Sequence, residues 1–290
     1  MLADAIDALR CPHCSGTLTL DDGSVRCASG HVFDVARQGY VNLLPGNART
    51  GSADTAAMVR ARADFLGAGH FAAVSDALAD AAAAALAGPD APAGAVVDVG
   101  AGTGHHLAAV LDRLPERRGI ALDISKHALR AAARAHPRAA AVGCDAWGGL
   151  PLRDGAAAVA LSVFAPRDPA ELARVVAPGG ALVVATPEPG HLAEAVAALG
   201  MLTVPERKRE RVAGQLDGAF APAAGVSVRA SLELDRTALG QIVAMGPSAR
   251  HLEPAEIDRR VAALGEPFTV TLAVAVAAYR RRGEALRGRP

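Results

Sequence analysis

The chain is short of aromatic residues and has no surplus of charge. Its 290 residues include one Trp, two Tyr and six Phe, 3% of the total, and 30 Lys+Arg balance 30 Asp+Glu. A protein that holds nucleic acid by bulk positive charge is basic overall, and one that stacks bases across a sheet needs aromatic rings to spare. Neither class fits. Long apolar runs are also missing. No stretch of about 18 residues is free of charges and breakers, and the alanine-rich run at 77–87 contains Asp80. That leaves no transmembrane helix candidate. The first nine residues carry Asp4 and Asp7 and no basic segment, unlike a secretory signal, so the expected location is the cytoplasm.

What is present is ordinary globular material, with 51% hydrophobic and 21% charged residues. The length suits one large α/β domain with a small attached module. Three textures follow one another: short β-like pieces over residues 1–40, a loop and helices over 41–93, and alternating apolar strands and amphipathic helices over 94–290. In the middle region Asp54 stands where it would cap a helix through Met58 and Phe65, and a second helix is expected at 72–86, ended by Gly88-Pro89. Beyond it the pattern predicts strands at 95–99, 119–123, 139–144, 156–164 and 181–186, with helices at 105–114, 126–135 and 168–176 and a turn at Pro178-Gly179-Gly180. Further strands are expected at 226–234 and 268–277. The order is that of an open, mostly parallel sheet with helices on both faces.

Of the four cysteines, Cys144 reads as a small buried hydrophobe, while the other three crowd into the first 27 residues. Cys11-Pro12-His13-Cys14 is a tight knuckle, and after a hairpin turn at Asp21-Asp22-Gly23 comes a second pair, Cys27 and His31. Three thiolates and one imidazole at this spacing make a closed structural zinc site. His13 competes for the fourth place, though a side chain inside the knuckle usually points away. A module of this size buries too little core to fold alone, so the metal folds it rather than doing chemistry.

The second constellation is Val96-Val97-Asp98-Val99-Gly100-Ala101-Gly102-Thr103-Gly104, an apolar strand entering a glycine-rich turn before a helix. Asp123 closes the next strand and can accept both hydroxyls of a ribose. Dehydrogenases share such a turn, but here a carboxylate, Asp98, precedes the glycines and no further phosphate cradle follows. Asp145 ends the third strand, where it offers a carboxylate to an adenine edge. Together these residues predict a class I, Rossmann-like methyltransferase domain using S-adenosylmethionine.

Beyond the two motifs, His31-Val32-Phe33-Asp34, Gly39-Tyr40-Val41-Asn42-Leu43-Leu44-Pro45 and Arg62-x-x-Phe65-Leu66-x-x-Gly69-His70-Phe71 make nearly the whole chain resemble the RlmA family of 23S rRNA guanine-N1 methyltransferases. Met245-Gly246-Pro247-Ser248-Ala249-Arg250-His251 is more similar to its TlrB-like branch. The resemblance implies methyl transfer to N1 of a guanine in a 23S rRNA hairpin loop, guanine 748 in bacterial numbering, a zinc module that helps to recognise the hairpin, a homodimer, and a link to tylosin resistance. It implies Cys11, Cys14, Cys27 and His31 as metal ligands and Gly102 and Thr103 as the loop at the cofactor. Phe71 falls where other members can carry tyrosine, so packing on the cofactor is retained without the hydroxyl. His191 matches another cofactor contact.

For the chemistry, Asp168, Glu188 and His191 lie beyond expected strand ends, and Phe164 ends a strand where a target base can be met. No general base is assigned. RNA contacts are expected in local basic clusters: Arg207-Lys208-Arg209 with Arg211, Arg280-Arg281-Arg282 with Arg287 and Arg289, and 113–138, where seven Lys/Arg face two Asp/Glu. Two other readings fit parts of the chain: a small-molecule methyltransferase of antibiotic biosynthesis, for which the zinc module is needless, and a non-catalytic zinc-bearing RNA-binding protein, for which the intact glycine turn and Asp123 are needless.

Overall fold

The computed structural model describes residues 1–48, 50–51, 53–203 and 208–282, so Arg207, Arg287 and Arg289 lie outside the described residues. After a helical start, α1 (Leu2–Ala5) and a 3-10 turn over Ile6–Ala8, the chain forms β1 (Leu18–Asp21), β2 (Ser24–Cys27) and β3 (Val32–Asp34), a three-stranded antiparallel sheet. Asp21 pairs with Ser24, leaving Asp22-Gly23 as a two-residue loop with positive φ at both positions. That is the mirror-image turn whose twist matches the strands it joins.

The rest of the chain builds one eight-stranded sheet. Its elements are β4 (Tyr40–Asn42), α2 (Ala56–Gly67), α3 (Ala72–Ala85), β5 (Ala95–Val99), α4 (His105–Arg113), β6 (Gly119–Asp123), α5 (Lys126–Ala132), β7 (Ala139–Gly143), β8 (Ala157–Val163), α6 (Pro169–Val175), β9 (Val176–Pro187), α7 (Ala193–Leu199), α8 (Lys208–Leu216), β10 (Phe220–Leu234), α9 (Arg236–Ala244), α10 (Pro254–Ala262) and β11 (Phe268–Arg281). The strand order is β10-β11-β9-β8-β5-β6-β7-β4. All pairings are parallel except those of β11, which runs antiparallel to both β9 and β10. The order reverses at β5, where the chain first winds outward through β6 and β7 and then resumes on the other side with β8. Ligands of such sheets bind at the carboxyl ends of the strands flanking that reversal.

Both faces are covered, and alternate residues of each central strand feed the two cores. Val96 packs with Phe65, Leu78 and Leu107 under α2, α3 and α4, whereas Val97 and Val99 pack with Leu172 and Val175 of α6. That second core continues into the small sheet, taking in Leu9, Val25 and Phe33. Backbone bonds fix the junction. Arg10 N–H donates to Pro151 O at 3.0 Å, Arg153 N–H donates to Ala8 O at 2.9 Å, and Leu9 bridges Leu152.

Local details differ from the sequence expectations in two places. Thr55, not Asp54, caps α2, its hydroxyl accepting from Met58 N–H at 3.3 Å. The Asp54 carboxylate is instead drawn to two guanidinium groups, Arg62 and Arg250. Pro178-Gly179-Gly180 is a register irregularity inside β9 rather than a turn before it, because the partner strand advances only from Ala157 to Val159 while β9 advances from Val176 to Ala181. Several arginines of two clusters expected to meet RNA also make contacts within the fold. Arg280, Arg281 and Arg282 donate to the carbonyls of Gly179, Val176 and Asp217, and Arg117 and Arg138 likewise hold loop carbonyls at Pro92, Gly94, Leu114 and Pro115. Among the described residues no helix is long and apolar enough to cross a membrane.

Phe65 is fully buried, edge-on to Phe71 with ring centres 5.2 Å apart. Phe65→Ala leaves a cavity in the core beneath α2 and α3 and should cost about 3–5 kcal/mol, read as a lowered midpoint in urea unfolding.

Candidate active site and metal centre

Two knuckles bring the metal-ligating side chains together. In the first, Cys11 N–H donates to Gly16 O and Ser15 N–H to Cys11 O; in the second, Cys27 N–H donates to His31 O and Gly30 N–H to Cys27 O. The ligand atoms of Cys11, Cys14, Cys27 and His31 all lie within 4.8 Å of one another. Cys14 Sγ is 3.7 Å from Cys27 Sγ, and His31 Nδ1 is 3.5 Å from Cys11 Sγ and 3.3 Å from Cys27 Sγ. A tetrahedral zinc with sulfur at ~2.3 Å and nitrogen at ~2.0 Å spaces its donors by about 3.8 Å between sulfurs and about 3.5 Å between sulfur and nitrogen. The donor set therefore fits a closed zinc site with Nδ1 facing the metal. A hydrogen bond from Ser29, then one from Gly16 N–H, lowers the Cys14 thiol to about 6, toward the thiolate form that binds metal. His13 does not join the cluster; it packs against the rings of His31 and Phe33.

At the carboxyl end of β5 the chain turns over β6, with Gly100 N–H and Ala101 N–H both donating to Leu122 O at 2.9 Å. Gly100 and Gly102 have φ of +76° and +55°, which L side chains rarely adopt, and a Cβ on Gly100 would lie 2.7 Å from Ala165 Cβ. The turn is thus open to the backbone-close approach of a ligand. Asp123 Oδ2 accepts from Gly102 N–H and Oδ1 from Ser125 N–H, each at 2.8 Å. Burial raises its carboxyl, and these two donors restrain the rise. The fixed carboxylate keeps lone pairs for ribose hydroxyls. Asp145 is likewise oriented, accepting from Trp147 N–H at 3.0 Å. Thr103 is 7% exposed within the turn.

Asp98 sits beneath the turn, 1% exposed, and its Oδ1 has no hydrogen-bond partner among the described residues. Burial first, and the Asp123 charge second, push its carboxyl up to about 7. An orphaned buried acid beneath a glycine turn suits a cationic ligand, and S-adenosylmethionine brings both a sulfonium and an ammonium. Nearby, His106 is pushed down to about 3 by burial, then by the charges of His105 and Arg62, and its Nδ1 lies 2.9 Å from Ser75 Oγ.

The far wall is aromatic. Phe71 is buried, 5.9 Å from His191 between ring centres, and His191 stacks on Phe164 at 6.2 Å and 16°. His191 Nδ1 accepts from Ala273 N–H at 3.3 Å. Phe164 is 40% exposed at φ +53°, a left-handed conformation that costs a bulky side chain about 1–3 kcal/mol and is kept at functional sites. The expected group of Asp168, Glu188 and His191 separates: Asp168 caps α6 through Ala170 N–H and Glu171 N–H, and Glu188 accepts from Ser227 Oγ and Arg229. Only His191 of the three joins the aromatic wall. Sequence reasoning placed Asp54 only as a helix cap and did not single out Ser125, whose Oγ donates to Asp54 O at 2.7 Å and ties the segment before α2 to the ribose-side carboxylate.

Sheet order, glycine turn and Cys3His cluster together define a class I S-adenosylmethionine-dependent methyltransferase carrying a zinc ribbon. Residues 9–51 match the RlmA N-terminal zinc ribbon, and residues 96–180 match a methyltransferase domain. A 23S rRNA (guanine(748)-N(1))-methyltransferase of Streptomyces fradiae is 51% identical over 276 residues, 94% of this chain and 97% of that one. A Micromonospora griseorubida relative is 51% identical over 294 residues, 97% of this chain and 99% of its own. The chain belongs to the RlmA family of 23S rRNA guanine-N1 methyltransferases. Its cofactors are S-adenosylmethionine and zinc.

Cys11→Ser should reduce zinc content to near zero and weaken RNA binding more than cofactor binding, measured by metal analysis and by titration with each ligand. Full metal retention would count against the four-ligand set. For Asp98, the folded value of about 7 stands above the unfolded 3.8, so its neutral form supports the fold fully below pH 3.8 and that support is lost as pH rises through about 7. Stability in urea should therefore fall between about pH 4 and pH 7 and level off above that, and Asp98→Asn should flatten that limb; an unchanged slope would sink the assignment.

Proposed function

We propose that this protein transfers a methyl group from S-adenosylmethionine to N1 of a guanine in a 23S rRNA hairpin loop, guanine 748 in bacterial numbering. The observation that carries the reading is the near full-length relation to the Streptomyces fradiae enzyme, which spans the ribbon and the sheet together. A small-molecule methyltransferase has no use for a ribbon whose core is continuous with that of the catalytic sheet.

In this reading Cys11, Cys14, Cys27 and His31 hold the zinc, and residues 1–40 form an RNA-recognition module, 41–93 a linking helical segment and 94–290 the methyltransferase domain. Gly100, Gly102 and Thr103 offer backbone to the cofactor, Asp98 faces its cationic end, Asp123 takes the ribose hydroxyls and Asp145 the adenine edge. Phe71 and His191 close the side toward the base. When bound, the cofactor supplies a methyl group on a positively charged sulfur, and S-adenosylhomocysteine leaves after transfer. Guanine N1 bears a proton in the neutral base, and that proton passes to solvent water as the N1–methyl bond forms and the methyl–sulfur bond breaks. The chain supplies alignment, which is where much of such a rate comes from. Phe164, strained into exposure beside His191, is placed to stack on a guanine that has left its own stack, which a single-stranded loop permits at low cost. The protein works in the cytoplasm, as a homodimer, and contributes to tylosin resistance by modifying the ribosomal RNA.

The test is incubation with labelled S-adenosylmethionine and unmodified 23S rRNA fragments, followed by mapping of the product. N1-methylguanine at one hairpin position is expected, and Phe164→Ala should lower kcat/KM for RNA at least tenfold with little change in cofactor affinity. Transfer to a small molecule with none to RNA would refute the reading.

A further inference from the structure

Arg62 is used by neither the metal centre nor any cofactor contact assigned above, yet its guanidinium lies at the mouth of the glycine turn. The side chain, 24% exposed, projects from α2, and Nη1 would stand 3.2 Å from a Cβ built on Gly102. It is held from two sides. Nη1 donates to Asp54, and Nη2 donates to Met245 O at 2.6 Å. The Asp54 support is itself braced twice. Asp54 O accepts from Ser125 Oγ, and its carboxylate also faces Arg250, whose guanidinium donates to Ala53 O at 3.1 Å. The segment Met245–His251, which no metal or cofactor contact explains, thus supplies both the carbonyl that orients Arg62 and the arginine that fixes Asp54.

Two of the five guanidinium N–H groups of Arg62 are spent on these supports, and the other three have no partner among the described residues. A partly buried cation with spare donors, fixed in orientation beside an anionic site, is built to receive a planar anion. The adenosine part of the cofactor carries no anion. Its methionine part carries one, the α-carboxylate, and Asp98 is the matching anion beneath the same turn for the cationic end.

We propose that Arg62 binds the α-carboxylate of S-adenosylmethionine, and that Asp54 and the Met245–His251 segment act as positioning elements for its guanidinium. The inference rests on the methyltransferase reading and gives the cofactor's amino-acid end a specific receptor on α2, outside the residues matched by the methyltransferase domain signature.

Calorimetry on the full-length protein with S-adenosylmethionine and with its decarboxylated analogue, which keeps the sulfonium and the amine, tests this directly. Wild-type protein should prefer S-adenosylmethionine by about 10- to 100-fold, the range expected of charge-assisted hydrogen bonds. Arg62→Gln should erase that preference while leaving affinity for the decarboxylated analogue within about threefold, and Arg62→Lys should restore part of it. Arg250→Gln, one step removed, should reduce the preference less. Equal loss of both ligands in Arg62→Gln would overturn the proposal and make Arg62 a purely structural residue, and so would retention of the wild-type preference. No binding of either ligand by wild-type protein would instead refute the underlying methyltransferase reading.

Discussion

The site depends on one carboxylate more than on any other group. Asp123 ends β6, and its two oxygens accept from Gly102 in the turn after β5 and from Ser125 at the start of α5. It joins two adjacent strand ends and the helix that follows. Ser125 in turn caps α5 through His127 and Ala128 N–H and reaches across to Asp54. Through Asp54 the same chain of bonds arrives at Arg62 and Arg250, so the glycine turn, the entry to α2 and the segment after α9 are set by linked hydrogen bonds. Such a network works in a partly buried setting because every unmade bond there carries a desolvation cost.

Several arginines of the basic stretches also brace the fold from within. Arg174 binds the carbonyls of Leu150 and Leu152 and the carboxylates of Glu171 and Asp154, closing the loop on which the ribbon is seated. Arg138 does the same for the loop between α4 and β6. With aromatics so scarce, guanidinium groups act here as multi-donor staples for loop carbonyls.

This division explains what could be read from the residues. The central strands, the glycine turn with Asp98 and Asp123, and the Cys11, Cys14, Cys27 and His31 spacing are local patterns that carry their own signals. Thr55 over Asp54 as the helix cap was not legible, because the choice depends on Arg62 and on Arg250, nearly two hundred residues away. The three-residue strand β4 is too short to show a period and exists because β7 offers it an edge. Asp168 and Glu188 shared a position at strand ends with His191, but a carboxylate that finds backbone N–H groups at a helix start or an arginine across the sheet is consumed by structure. Clustered arginines are ambiguous in the same way, since sequence records the donors and not the carbonyls they meet.

The Leu9–Leu152 bridge, with its two flanking backbone bonds, removes the freedom a small module on a linker would otherwise have. In the proposed reading the ribbon and the pocket act as a single caliper. An RNA gripped by both must present the gripped segment and the reacting base at a preset separation, so a stem too long or a loop too small misses the reacting atoms whatever its sequence. Selectivity can then reside in a measured length, which asks for neither excess charge nor a row of stacking rings.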